Sequence, residues 1–177
     1  MSEAAAQPAA IAAGRLGETR GPIAVTTLEA HRLAVLRLAA QARRELAIFS
    51  PALDPRVFDH EGLAEAVRAL LLRSPRARVR VVVQDAAPVA ARGHRLLRLA
   101  WRLPSRMEIR RAGPDHQGLD EAFVLADETG VLETEHAERY EAVLDFCNPP
   151  RARALRLRFE EIWAQAERDP NLLRLDL

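Results

Sequence analysis

Short apolar runs alternate with segments of helical periodicity in the first two thirds of the chain. Three runs are typical of buried strands: 45–49, 78–84 and 107–111. Helices are predicted before and between them, over 26–43, 58–73 and 88–102. Thr26 or Thr27 can cap the first of these helices, and Pro88 suits the first turn of the third. The alternation predicts an α/β fold.

The last third of the chain predicts a hairpin, one further strand and a closing helix. The segment 127–130 marks a turn between strands over 121–126 and 131–133. Another strand is predicted over 140–146, and Pro149 opens the last helix. Five residues of that helix form a stripe that faces the core: Leu155, Phe159, Ile162, Trp163 and Ala166. Together with the first two thirds, these elements predict a mixed β-sheet sandwiched between helices.

The first 22 residues differ in composition from the rest. They are rich in alanine, glycine and small polar residues and show no periodicity, so we predict a flexible tail over 1–22 and one domain over 23–177. No segment has the features of a signal peptide or the roughly 18 uncharged apolar residues of a membrane helix. The single cysteine, Cys147, allows no internal disulfide and is predicted to be a core residue. These features predict a cytoplasmic protein without a membrane partner.

The charges nearly cancel, but they are unevenly distributed. All 26 basic residues are arginine, and with 25 acidic residues the net charge is +1. The absence of lysine excludes Schiff-base chemistry and P-loop phosphate binding. Between 68 and 111 there are 12 arginines and 2 acids, whereas between 115 and 145 there are 10 acids and 1 arginine. The chain is therefore strongly bipolar.

Four arginines of the third predicted helix form a candidate phosphate-binding stripe: Arg92, Arg95, Arg98 and Arg102. At 100° per residue the last three share one face and the first lies at its edge. Guanidinium groups bind phosphate in a bidentate manner. The alternatives are a solvated face that pairs with acids elsewhere in the fold, and a basic face that meets an acidic face of a second copy.

A stretch near the C-terminus carries a pattern of a known superfamily. It reads Asp120-Glu-Ala122-Phe-Val-Leu-Ala-Asp127, then Gly130, Asn148-Pro149 and Phe159-Glu-Glu-Ile-Trp163. This resembles the phospholipase D-like superfamily, whose catalytic members carry His-x-Lys-x4-Asp on a hairpin strand and Asn-Pro before a helix with Phe-x-x-x-Trp. The helix and strand leading into Phe49-Ser-Pro51 are similar to the opening unit of the same fold. The resemblance spans about residues 26–168 and implies a phospholipase D-like half unit from an uncharacterised bacterial branch, a domain of unknown function.

The chain differs from this pattern at the two positions that carry the family's catalytic histidine and lysine. In the family the histidine attacks phosphorus and the lysine binds phosphate oxygens; here Asp120 and Ala122 occupy those positions. A carboxylate repels a phosphodiester, and alanine supplies no compensating cation. Only Asp127 is retained, and an aspartate just ahead of a glycine, here Gly130, is typical of a hairpin turn. We therefore expect no catalysis by the family mechanism.

Other residues offer weak substitutes for the missing histidine. His116 lies near Asp115 and Asp120 and is a candidate displaced nucleophile or metal ligand, although such spacing is common by chance. His94 is predicted on the exposed side of its helix, and His136 in a solvated acidic loop. We predict no metal and no cofactor.

Three functions remain open. The first is a non-catalytic phospholipase D-like binding or scaffold module for a phosphate-bearing ligand, with or without a protein partner. The second is an enzyme, either a residual phosphodiesterase or nuclease or another transferase, with rewired residues. The third is a non-specific nucleic-acid binder that uses the arginine-rich helix. In the family, single-unit members pair across the catalytic cleft, so the resemblance also implies a homodimer. We predict the first function.

Overall fold

The computed structural model describes residues 3–173, with side chains from residue 7 onward. The strands are β1 Ile23–Val25, β2 Glu45–Ser50, β3 Arg78–Val83, β4 Met107–Arg111, β5 Ala122–Ala126, β6 Gly130–Thr134 and β7 Ala142–Asp145. The helices are α1 Glu3–Ala13, α2 Leu28–Gln41, α3 Pro55–Phe58, α4 Glu61–Arg73, α5 Ala87–Ala91, α6 Arg95–Arg102 and α7 Pro149–Gln165. Short 3₁₀ turns lie at Pro114–His116 and Pro170–Leu172.

The strands form one mixed sheet in the order β1-β7-β6-β5-β2-β3-β4. β2, β3 and β4 run parallel, and every other neighbouring pair is antiparallel. Phe49 of β2 lies opposite Phe123 of β5, so β5 begins where the parallel strands end. We call this end of the sheet the carboxyl edge. The opposite end, where β2, β3 and β4 begin and the β5–β6 turn lies, is the amino edge.

Helices cover both faces of the sheet, as predicted. A larger core joins one face to α2, α4 and α6, and a smaller core joins the other face to α7. Leu155, Phe159 and Ile162 are buried in the smaller core, and Trp163 packs against it. The stripe on the last helix is therefore a core surface, which confirms its prediction. No helix within residues 3–173 is long and apolar enough to cross a bilayer.

The N-terminal segment differs from the expected flexible tail over 1–22. Residues 3–13 form α1, in which Ile11 is fully buried, and Gly14 lies so close to the Phe146 ring that any β-carbon there would overlap it. Alanine has the highest helix propensity of the residues, and one apolar anchor produces no periodicity that a sequence pattern could reveal. The residues before Glu3 lie outside the described part of the chain.

The third predicted helix is broken in two. Gly93 has a φ of +61°, which separates α5 from α6, and His94 caps α6 by accepting a hydrogen bond from the Leu96 amide on Nδ1 at 3.2 Å. The other ring nitrogen of His94 lies 3.2 Å from the Leu53 carbonyl, and the residue is 1% exposed. The prediction of an exposed His94 is therefore wrong, because the glycine ends one helix and the histidine begins the next. Burial lowers the pKa of His94.

Candidate ligand groove at the carboxyl edge

A largely apolar groove of about 470 Å³ opens at the carboxyl edge, between the end of β2 and the start of β5. Its floor includes Phe49, Phe123 and Phe58, which are buried or nearly so. Ala122 also lines it, since the register of β5 against β2 brings the first residue of β5 to this edge. A cavity of this size is typical of small-ligand sites.

The three motif positions are not brought together. Ala122 lies in the groove wall, whereas Asp120 is exposed just before β5, where its carbonyl accepts a hydrogen bond from the Ala137 amide. Asp127 follows the far end of β5, about 16 Å from Ala122 at 3.3 Å per residue. Only one of the three positions therefore contributes to the groove.

Asp127 has a structural role at the amino edge. It adopts a positive φ of 53°, as a turn residue before Gly130 can. Its carboxylate also accepts hydrogen bonds from the backbone amides of Arg43, Arg44 and Glu45, at 3.0, 2.8 and 3.1 Å. The predicted hairpin turn is confirmed, and the same side chain joins that turn to the start of β2.

Polar groups line one side of the groove. Asp54 accepts hydrogen bonds from Arg56, which also lies 5.3 Å from the centre of the Tyr140 ring. Although burial raises the pKa of Asp54, the bonds from Arg56 hold that pKa below its ordinary value. His31 donates from Nδ1 to the Tyr140 carbonyl at 3.0 Å, and burial lowers the pKa of its ring. Burial therefore favours the neutral form of the His31 ring in the groove wall.

Two further arginines line the groove, Arg92 and Arg139. Both are exposed, and neither has a carboxylate within ion-pair distance among residues 7–173. They are the free cations of this site in the described part of the chain. Glu138 is an exposed acid on the same wall.

The arginine stripe is divided by the break at Gly93. Arg92 lies at the groove, whereas Arg95 forms an ion pair with Asp59 at 3.1 Å. Arg98 and Arg102 line a separate crevice of about 370 Å³ on α4 and α6, together with Arg95. The four residues therefore belong to two surfaces.

His116 lies in the loop after β4, away from the groove lining. It is 6% exposed, and its Nδ1 has no hydrogen-bond partner within the described residues. Asp115 and Asp120 are both exposed, and no group of three or more potential ligands in the described region could hold a metal ion. Cys147 is buried and His136 is exposed, as predicted.

The groove also contains four residues that no sequence pattern predicted: His31, Arg56, Arg139 and Tyr140. His31 and Tyr140 are 109 positions apart, and they meet because α2 packs on the sheet beside the segment before β7. One local signal was available, since Arg56 follows the turn residues Asp54 and Pro55 and binds the carboxylate two positions before it.

The sequence of the chain matches one family model, "Domain of unknown function (DUF7931)", over residues 27–175. A search of curated proteins found no sequence that matches.

Solved structures with a similar fold include three from different sources. The archaeal chromatin protein TrmBL2, whose structure is described as showing a novel mode of DNA binding, is 15% identical with a TM-score of 0.63; the match covers 85% of this chain and 54% of that chain. Nuc of Salmonella typhimurium, a phospholipase D family member, is 16% identical with a TM-score of 0.58, covering 84% of this chain and all of Nuc. NucT of Helicobacter pylori is 9% identical with a TM-score of 0.59, covering 85% of this chain and all of NucT.

These similarities show the fold. The mixed sheet with helices on both faces is phospholipase D-like, as the sequence pattern indicated. The chain spans about half the length of TrmBL2 and the whole length of Nuc and NucT.

Proposed function

Since the chain belongs to the family of the domain of unknown function DUF7931 and has a phospholipase D-like fold, we propose that it is a non-catalytic binding module whose groove takes a phosphate-bearing ligand. One observation carries the proposal: Ala122, at the position of the family's lysine, forms part of an apolar groove wall. The groove therefore has a ligand-sized volume at a position where the reactive lysine of the family motif is replaced by alanine.

The family's reaction needs a nucleophile that attacks phosphorus and a cation that stabilises the added charge. Asp120 is exposed outside the groove lining, and its charge repels a phosphate. The side chain of Ala122 cannot donate a hydrogen bond to a phosphate oxygen. The two positions therefore support binding without cleavage.

The cations that remain favour a ligand with one anionic end and an apolar body. Arg92 and Arg139 can each donate two parallel hydrogen bonds to phosphate oxygens. The apolar body would contact Phe49, Phe58 and Phe123, which form the groove floor.

Phenyl phosphate is a suitable probe because it combines both features, and its binding can be measured by isothermal titration calorimetry. We expect Arg92→Gln to weaken binding about tenfold or more, since a hydrogen bond to a charged group contributes about 1.5–3 kcal/mol. Arg98→Gln is the matched control, because it removes the same charge from the neighbouring crevice and should leave the affinity unchanged.

Two results would contradict the proposal. Equal losses in both variants would show that the overall charge, rather than the groove, holds the phosphate. Turnover of bis(4-nitrophenyl) phosphate above the buffer rate, lost in a groove variant such as Ala122→Trp, would show a residual phosphodiesterase.

We further propose that two copies pair across the carboxyl edge, so that their grooves face each other. The resemblance supports this, since single-unit members of the superfamily form such dimers. Light scattering at low and high salt tests it, with a dimer expected under both conditions. A monomer under both would overturn the proposal, and a dimer at low salt alone would assign the association to the opposite charge blocks.

A second candidate function is nucleic-acid binding through α6. It is favoured by the exposure of Arg98 and Arg102 beside Arg68 in the crevice between α4 and α6. Glu61 and Glu65 line the same crevice and reduce its positive charge. Loss of duplex DNA binding in an Arg98→Gln/Arg102→Gln variant would support this function, and unchanged binding would exclude it.

A further inference from the structure

The amino edge of the sheet carries a second cluster of arginines, which the groove does not use. Arg43 and Arg44 precede β2, Arg73 ends α4, and Arg76 and Arg78 lie just before and at the start of β3. All five are exposed. We propose that this cluster, which we call the basic edge, binds the phosphate backbone of duplex nucleic acid.

The basic edge is a continuous surface. Arg43, Arg44 and Arg73 line one open crevice of about 800 Å³. Arg78 adjoins them, because its backbone amide donates to the Arg44 carbonyl at 3.0 Å. Arg76 lies two positions earlier, in the turn between α4 and β3. The arginines therefore come from adjacent connections at one end of the sheet, where one extended partner can contact them.

Most of the cations of the basic edge have no acidic partner. Among residues 7–173, no carboxylate lies within 4 Å of the guanidinium groups of Arg43, Arg44, Arg73 and Arg76, and the guanidinium of Arg78 lies 3.6 Å from Glu45.

Glu45 is itself shared with two other arginines, Arg80 and Arg156. The carboxylate of Asp127, which also lines the crevice, is held by three backbone amides, and Glu18 pairs loosely with Arg15 at 3.9 Å. Glu128 is the remaining exposed acid at this crevice. The surface thus has a surplus of positive charge that a polyanion would neutralise.

One buried donor at the crevice also lacks an acceptor. Arg37 lines the crevice and donates from Nη2 to the Gly14 carbonyl at 3.0 Å, but its buried Nε has no partner in the described residues. Arg37 therefore adds one more positive charge to the lining of this crevice.

The composition of the basic edge favours a duplex backbone. Its cations are all arginine, which stays charged at any physiological pH and matches phosphate geometry. No aromatic side chain lines the crevice, so unpaired bases would find no stacking surface. The crevice shares no lining residue with the groove at the carboxyl edge, so this inference does not depend on the function proposed for the groove.

The test is the binding of a labelled 20-base-pair duplex of arbitrary sequence, followed by fluorescence anisotropy between 50 and 200 mM salt. The variant Arg43→Gln/Arg44→Gln/Arg73→Gln removes three charges from exposed positions of the basic edge. We expect it to bind at least tenfold more weakly than the wild type at 50 mM salt. The slope of log affinity against log salt should fall in magnitude by about 2.7, at about 0.9 for each lost phosphate contact.

The matched control is Arg32→Gln/Arg151→Gln/Arg153→Gln, which removes the same charge from exposed positions outside the basic edge, the groove and the crevice on α4 and α6, and which should keep both affinity and slope. Thermal unfolding of both variants checks that the fold is intact. The proposal is overturned if the wild type does not bind the duplex, or if the two variants lose affinity equally. It is also overturned if poly-glutamate displaces the duplex at equal charge concentration, since the basic edge would then fit an acidic protein.

Discussion

Replacing Arg80 by alanine should lower the free energy of unfolding by about 3 kcal/mol, because it removes the buried cation of an ion-pair cluster. Arg80 lies in β3 with its side chain 8% exposed, and it pairs with Glu45 and Glu160. Its guanidinium carbon is 5.1 Å from the centre of the Phe159 ring and 5.3 Å from that of Trp163. Alanine would leave carboxylates without this partner and a cavity beneath α7.

Two comparison variants separate the contribution of charge from that of packing. The free energy of unfolding of these two and of Arg80→Ala is measured by urea denaturation. Arg80→Met refills much of the volume against the aromatic rings without restoring the charge, so we expect it to lose about 2 kcal/mol, less than the alanine variant. Arg153→Ala lies on an exposed position of the same helix as Glu160 and should stay within about 0.5 kcal/mol of the wild type. A loss in Arg80→Ala no larger than that in Arg153→Ala would show that the cluster does not stabilise the fold.

The same cluster predicts a pH signature. Hydrogen bonds from Arg80 hold the pKa of Glu160 below its ordinary value, against the effect of burial. A carboxylate with a lowered pKa in the folded state stabilises the fold above the unfolded-state pKa, about 4.3 for glutamate, and this stability is lost as pH falls through the folded-state pKa. The wild type should therefore lose more stability than Arg80→Met when pH falls below about 4.3.

The burial of Arg80 could be predicted from the sequence, whereas its ion-pair partners could not. In a strand, alternate residues share a face, so Arg80 lies on the same face as Val82, which is part of the core beneath α7. Strand alternation therefore indicated burial, but a count of charges along the chain did not separate this arginine from its exposed neighbours. Its partners Glu45 and Glu160 are 35 and 80 positions away, and only the fold brings them together.

Elements with a strong local pattern were predicted well. The stripe on α7, the β5–β6 hairpin and the parallel strands depend on periodicity and turn residues, and the structure confirms them. The incorrect predictions concern segments whose secondary structure depends on one or two residues. Gly93 and His94 break a helix that a periodicity window reads as continuous, and Ile11 anchors a helix in a segment without any pattern.

The candidate sites likewise divide into residues that belong to a local sequence pattern and residues that only the fold brings together. The motif pattern identified Ala122, which lines the groove, whereas the groove's other walls come from α2, α3 and the segment before β7 and carry no common motif. The basic edge is assembled from the connections before neighbouring strands, which lie far apart in sequence. Such surfaces depend on topology, since parallel strands bring their amino ends to one edge.

Replacing Asp127 by alanine should cost about 3 kcal/mol, since it leaves three backbone amides without their acceptor and puts alanine at a positive φ. The amides belong to Arg43, Arg44 and Glu45, and φ at Asp127 is 53°. Asp127→Asn retains one side-chain acceptor oxygen and tolerates the left-handed conformation, so we expect it to lose about 1 kcal/mol. Glu128→Ala, at the exposed neighbouring position, should change stability by less than about 0.5 kcal/mol.

Hydrogen exchange distinguishes this anchor from a remnant of a catalytic centre. If the carboxylate holds the start of β2, the amides of residues 43–45 should exchange faster in Asp127→Ala, while phenyl phosphate binding at the distant groove stays unchanged. Unchanged exchange at these amides together with a loss of groove binding would contradict the structural assignment. The residue that the chain shares with the family's motif would then act on the ligand rather than on the fold, and the groove would have to extend to the amino edge.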